Sequence, residues 1–145
     1  MSNSCGDCPL LDRRGFLELA MVAFVGALWS SDEEHAYPIP ATDGATIDKA
    51  NQVILVRFEQ KAYAFNLSCP HQRTALHWLQ DVGRFQCPKH KSRYQPDGVF
   101  VSGRATRNMD RFAVRRDGAT IVVDVDKVFK SDVDAAGWAA AVVPL

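Results

Sequence analysis

Cysteine and histidine are both scarce in this chain of 145 residues, with four of each. The four cysteines, Cys5, Cys8, Cys69 and Cys87, do not make a disulfide framework, because two precede an apolar segment and two sit beside histidines. An excess of one charge is lacking too. The 17 basic and 17 acidic side chains cancel and no basic stripe stands out in the sequence, so nothing argues for nucleic acid as a partner. There is no internal repeat, and the only compositional bias is a small alanine-rich patch at residues 135–141. Long hydrophobic runs are missing as well. The chief one, residues 16–29, would rise about 21 Å as a helix, short of a hydrocarbon core of ~30 Å. What the chain does have is a 47% share of hydrophobic residues, enough for one domain with a real core and too little for two.

The front of the chain reads as an address. Residues 12–18, DRRGFLE, followed by the apolar run to Trp29, resemble a twin-arginine export signal, with Asp12 and Glu18 where that pattern usually has Ser or Thr and Lys. That route carries proteins already folded, which suits a protein that loads a metal cluster before crossing. With Gly15, Ser30 and Ser31 included, the segment nears the lower limit for spanning a membrane. The expectation is one N-terminal hydrophobic helix within residues 1–36, retained as a membrane anchor, the alternative being cleavage at the small residues Val25-Gly26-Ala27. The rest of the protein then lies in the periplasm, on the outer side of the cytoplasmic membrane. Cys5 and Cys8 form a Cys-x-x-Cys with no strand before it and no second pair to join, and are read as a chance spacing.

Beyond residue 36 the pattern is that of strands. The prolines of residues 37–42 mark a linker. Residues 53–58 (VILVRF) and 62–66 (AYAFN) are apolar runs of strand length separated by a short turn, a hairpin signature. Further strands are expected at 84–86, 99–101, 111–116 and 120–125, with Asp117-Gly118 as a hairpin turn and Pro96-Asp97-Gly98 as a second tight turn. The fold class is therefore all-β, a small antiparallel sandwich or barrel over residues 37–130, with a loose C-terminal tail at 131–145.

Two loops between these strands hold the remaining cysteines: Cys69-Pro70-His71 and Cys87-Pro88-Lys89-His90. Two thiolates and two imidazoles admit a structural zinc site or a [2Fe–2S] centre with mixed ligands. Zinc sites usually use a Cys-x₂₋₄-Cys knuckle, which is absent from these loops, whereas symmetric loops that each give one Cys and one His suit a two-iron rhomb. On these paired boxes the chain resembles a Rieske iron–sulfur protein over roughly residues 50–116. The resemblance implies one Rieske-type [2Fe–2S] cluster, with Cys69 and Cys87 on the inner iron and His71 and His90 on the outer, surface-facing iron. Neutral imidazoles in place of two thiolates lift the reduction potential from ferredoxin values near roughly −400 mV into a range of roughly −150 to +300 mV.

The second box, Cys-Pro-Lys-His-Lys-Ser-Arg-Tyr, is similar to that of cytochrome bc-type Rieske subunits. It implies that Ser92 donates to a bridging sulfide and Tyr94 to the sulfur of an inner-iron cysteine, both favouring the reduced cluster. Three departures stand out. Thr74 and Lys89 occupy the places of a loop-tying disulfide in those subunits. Gln72 and Arg73 follow the first histidine where a hydrophobic residue is usual, and SGRATRNM at 102–109 replaces a proline-rich cover. His35 and His77 lie outside the motif and are read as ordinary polar residues. The expected function is that of an electron-transfer subunit rather than a stand-alone enzyme. It takes electrons from a quinol, with proton release, and passes them to a cytochrome. Its partners would be cytochrome b-type and cytochrome c-type subunits of a membrane respiratory or photosynthetic complex. The alternatives are the small subunit of a periplasmic molybdenum oxidase of the arsenite oxidase kind, a soluble dioxygenase ferredoxin, and a non-redox zinc-binding module.

Overall fold

The computed structural model describes residues 33–145; the expected twin-arginine signal, the expected N-terminal helix and the Cys5–Cys8 pair lie outside the described residues. No helix among the described residues is long and apolar enough to cross a membrane.

The expected hairpin at residues 53–66 is the centre of the fold. Its strands, β3 (Val53–Phe58) and β4 (Lys61–Asn66), pair antiparallel over their full lengths, from Val53 opposite Asn66 to Phe58 opposite Lys61. The unbroken apolar run VILV has a simple cause: both faces of this hairpin are buried. Ile54, Val56, Tyr63 and Phe65 point into one core, while Val53, Leu55, Ala62 and Ala64 point into another.

The second core is closed by a curled antiparallel sheet in the order β1-β10-β9-β4-β3-β2. Here β1 is Glu34–Pro38, β2 is Gly44–Asp48, β9 is Arg111–Asp117 and β10 is Thr120–Phe129. Phe112, Ile121 and Val123 fill its interior. The Asp-Gly signal does close the β9–β10 hairpin, with Gly118 at φ 56 supplying the left-handed first position of a two-residue loop, residues 118–119. A bulge between Asp124 and Val128 lets β10 run on past the expected stop. The Asp124 carboxylate steadies that bulge by accepting from the Asp126 and Lys127 N–H groups.

The first core is closed by a smaller sheet, order β5-β6-β7-β8, whose strands are only two or three residues long. These are β5 (His77–Leu79), β6 (Arg84–Gln86), β7 (Arg93–Tyr94) and β8 (Phe100–Ser102). Phe85 on β6 meets Phe65 edge-on at 6.1 Å and Trp78 at 4.7 Å, joining the small sheet to the hairpin. Gly98, at φ 83, lets the chain pass directly over Phe65: a Cβ there would come within 2.4 Å of the ring.

Two expectations need correction. Tyr37 and Pro38 are not linker but the end of β1, which covers the free edge of β10. Pro38 is tolerated because β1 is itself an edge strand. Residues 131–145 are not a loose tail. Asp134 caps a short helix, α1 (Ala135–Ala140), by accepting from the Gly137 N–H at 2.8 Å. After it β11 (Val143–Pro144) pairs with β4. The Trp138 indole donates to the Met109 carbonyl at 2.7 Å, and its ring stacks 3.6 Å from the buried Arg111 guanidinium. A six-residue alanine helix shows no apolar period in sequence; its anchor is this tertiary contact.

Candidate metal centre

Leu67, just past β4, is buried, and from there the chain enters the first Cys-His loop. A Ser68–Ala75 bridge and the Leu76 N–H to Leu67 carbonyl bond clamp the loop's base. Inside it, the Cys69 N–H donates to the Thr74 carbonyl at 2.8 Å and the Arg73 N–H to the Cys69 carbonyl at 2.9 Å. The second loop repeats this course. Gln86 pairs with Arg93, the Cys87 N–H donates to the Ser92 carbonyl at 2.8 Å, and the Lys91 N–H to the Cys87 carbonyl at 3.0 Å. Proline follows each cysteine with its fixed φ. The fourth residue after each cysteine turns left-handed, Arg73 at φ 51 and Lys91 at φ 58. Thus two stretches with different histidine spacing share one backbone shape.

This shape brings the four donors together. Cys69 and Cys87 are unbridged and buried. The His71 and His90 rings meet edge-on with centroids 4.8 Å apart. Each presents a buried Nδ1 that has no hydrogen-bond partner among the described residues, while each ring as a whole is only half-buried. Buried imidazole nitrogens are normally satisfied, so two orphans on adjacent rings, in loops that also hold two buried thiols, fit a bound metal centre. No three His, Cys, Asp or Glu side chains among the described residues converge on one point. A single tetrahedral zinc needs four donors around one ion, whereas a two-iron cluster asks only two protein donors of each iron.

The surroundings favour anionic sulfur and neutral imidazole. Burial alone would push the Cys87 thiol up, but the His90 and Lys89 N–H groups, with the Cys69 and Thr74 side chains, outweigh it and hold the thiol below its ordinary range. Sequence reading noted Thr74 only as a departure and missed its contact at the site. Its side chain, in the first loop, hydrogen-bonds across to the Cys87 sulfur of the second. Desolvation, then the charges of His71, Arg104 and Lys89, keep His90 below the usual imidazole range.

Tyr94 is fully buried, with its hydroxyl 3.4 Å from Cys69 Sγ. Burial first, then that contact, push the phenol well above its ordinary range, so it remains a protonated donor. The Ser92 hydroxyl oxygen accepts from the Arg104 and Ala105 N–H groups, both at 3.1 Å, which leaves its own proton to give. Gly103, at φ 114, allows this approach: a Cβ would lie 2.4 Å from Ser92 Cα. The two histidines read as ordinary belong to other elements. His35 in β1 lies 3.6 Å from the Glu33 carboxylate, and His77 is exposed on β5.

The Rieske [2Fe-2S] domain family matches residues 35–123, more than half of the chain. The chain belongs to that family, and with it goes one Rieske-type [2Fe–2S] cluster. It is similar to the chloroplastic cytochrome b6-f complex iron-sulfur subunit of Bigelowiella natans, 34% identical over 62 residues, which are 43% of this chain and 25% of that protein. It is also similar to the cytochrome b6-f complex iron-sulfur subunit of Chlorobaculum tepidum, 27% identical over 75 residues, 52% of this chain and 41% of that one. The match thus spans less than half the length of either relative. The crystal structure of the plasma membrane Rieske protein of the cyanobacterium Synechocystis PCC 6803 overlaps 55% of this chain and 82% of its own, with a TM-score of 0.47 and 25% identity.

Proposed function

We propose that Cys69 and Cys87 hold one iron of the cluster and His71 and His90 the other. In this reading the protein takes electrons from a quinol and hands them to a cytochrome of a membrane respiratory or photosynthetic complex. It works on the periplasmic side of the cytoplasmic membrane, tethered by its N-terminal segment. The observation that carries this reading is the pair of orphaned, buried Nδ1 atoms beside two buried, unbridged cysteines. When bound, the cluster supplies a one-electron couple.

The chain's own residues adapt that couple to a quinol. With each Nδ1 turned inward, the Nε2 nitrogens of His71 and His90 are left on the outer edge, where a hydroquinone can give up a proton. Tyr94 and Ser92 each have a hydroxyl proton to offer sulfur, which would favour the more negative, reduced state. The similarity to b6-f iron-sulfur subunits supports a cytochrome as acceptor. Holoprotein reduced with dithionite should give an EPR signal whose average g lies below the free-electron value, with a midpoint of about +100 to +250 mV at neutral pH. Anaerobic mixing of the oxidised protein with a hydroquinone should bleach its visible absorption. No bleaching, with a normal EPR signal, would remove quinol as the donor.

A further inference from the structure

The loops around the histidines carry charge of one sign. Residues 69–74, 87–94 and 102–107 hold Arg73, Lys89, Lys91, Arg93, Arg104 and Arg107, and no aspartate or glutamate. Arg107 is neutralised by Asp110 at 3.1 Å and Asp132 at 3.3 Å. The other five are exposed, and none has a carboxylate within ion-pair distance among the described residues. The three segments adjoin: the His71 and His90 rings meet at 4.8 Å, the Arg104 N–H bonds Ser92, and Arg93 pairs with Ser102. Residues 33–145 carry 15 basic and 13 acidic side chains, so without these five the rest of the domain has a net charge of −3. A nearly neutral domain is thus polarised, positive at the histidine tip and negative elsewhere.

We propose that this tip is a cationic collar that docks the acidic face of a one-electron acceptor protein, one with carboxylates around its own redox centre. The proposal rests on the electron-transfer reading above and adds the chemistry of the partner. One electron leaves the reduced cluster, which returns to its diferric state, and one acceptor centre is reduced by one electron. A neutral quinol gains nothing from five cations, whereas an acidic protein gains both steering and orientation. A lipid surface fits less well. The exposed large apolar side chains among the described residues are Val82, Val99, Val101, Val128 and Val133, none of them on the two Cys-His loops, so the tip has no apolar wedge to insert.

The test uses prereduced holoprotein in stopped flow against an acidic and a basic small c-type cytochrome of matched potential, at about 10 mM and about 300 mM ionic strength. The acidic cytochrome should react about tenfold faster at low ionic strength, and salt should erase its lead. Combining Arg73→Asn, Lys89→Gln, Lys91→Asn and Arg104→Gln should erase it as well. Asparagine is chosen at 73 and 91 because it tolerates the left-handed backbone there, and an unchanged EPR spectrum certifies the loops. A second readout needs no variant: hexacyanoferrate(III) should oxidise the wild type faster than tris(phenanthroline)cobalt(III) at equal driving force, with a ratio that collapses in salt. Equal rates with the two cytochromes, or a lead that survives in the variant, overturn the docking proposal and leave electron transfer standing. Collar-dependent sedimentation with phosphatidylglycerol vesicles and no cytochrome preference overturns it in favour of lipid. Failure of both cytochromes to oxidise the protein at any salt overturns the electron-transfer reading, and docking with it.

Discussion

Cys69 and Cys87 begin two loops that follow the same backbone course, yet different side chains stand behind them. The fifth residue after each cysteine carries a hydroxyl, Thr74 in one and Ser92 in the other, but only Ser92 is fully buried and held by two backbone N–H groups. The seventh is Leu76 in the first loop and Tyr94 in the second, both buried, and only Tyr94 reaches a sulfur. The histidine is second after the cysteine in one loop and third in the other, although the main chain is alike. A near-symmetric backbone thus places the two Cys-His pairs, and an asymmetric set of side chains stands behind them. At the seventh position the first loop supplies packing and the second supplies a hydroxyl.

The largest effect should ignore the asymmetry. Cys69→Ala, Cys87→Ala, His71→Ala and His90→Ala should each abolish cluster loading, read as loss of colour and of bound iron. A variant from one loop that retained its iron would break the equivalence of the loops.

The next effect separates them. Leu76→Ala opens a cavity beneath the first loop and should cost about 2–5 kcal/mol in denaturant unfolding, while its midpoint potential stays near that of the wild type. Tyr94→Phe, at the same offset in the second loop, should do the reverse. It removes one hydrogen bond to sulfur, and only the difference in that bond between oxidation states counts. The midpoint should fall by about 50–100 mV, equal to roughly 1.2–2.3 kcal/mol for one electron. Similar potential shifts in both variants would mean that packing, not the hydroxyl, sets the potential.

The smallest effect should again be shared. Arg73 and Lys91 hold a left-handed backbone that costs an L-residue roughly 1–2 kcal/mol. Glycine removes that strain but adds unfolded-chain entropy, so Arg73→Gly and Lys91→Gly should each stabilise the protein by about 0.5–1 kcal/mol in denaturant unfolding. Unequal gains would show that one loop is held by contacts the other lacks.

Much of this molecule was legible locally. The apolar runs of β3 and β4, the Asp-Gly turn and the two Cys-His boxes each declare themselves within a few residues, because burial on a pleated strand, a positive φ and soft-metal ligation each demand particular residue types nearby. The unread parts depend on partners far along the chain. β1 exists because β10 offers it an edge more than eighty residues later, as with Glu34 opposite Asp124. α1 and β11 exist because Trp138 finds Arg111 and Met109. β5 and β7, of three and two residues, are too short to show a period. The sequence by itself thus determined the family and, with it, the cluster, since ligation chemistry is a property of residue identity. Only the tertiary structure decided that Thr74 reaches across to Cys87, that Ser92 keeps a proton to donate, and that five dispersed cations form one collar, since each depends on distances between loops that the linear order does not contain.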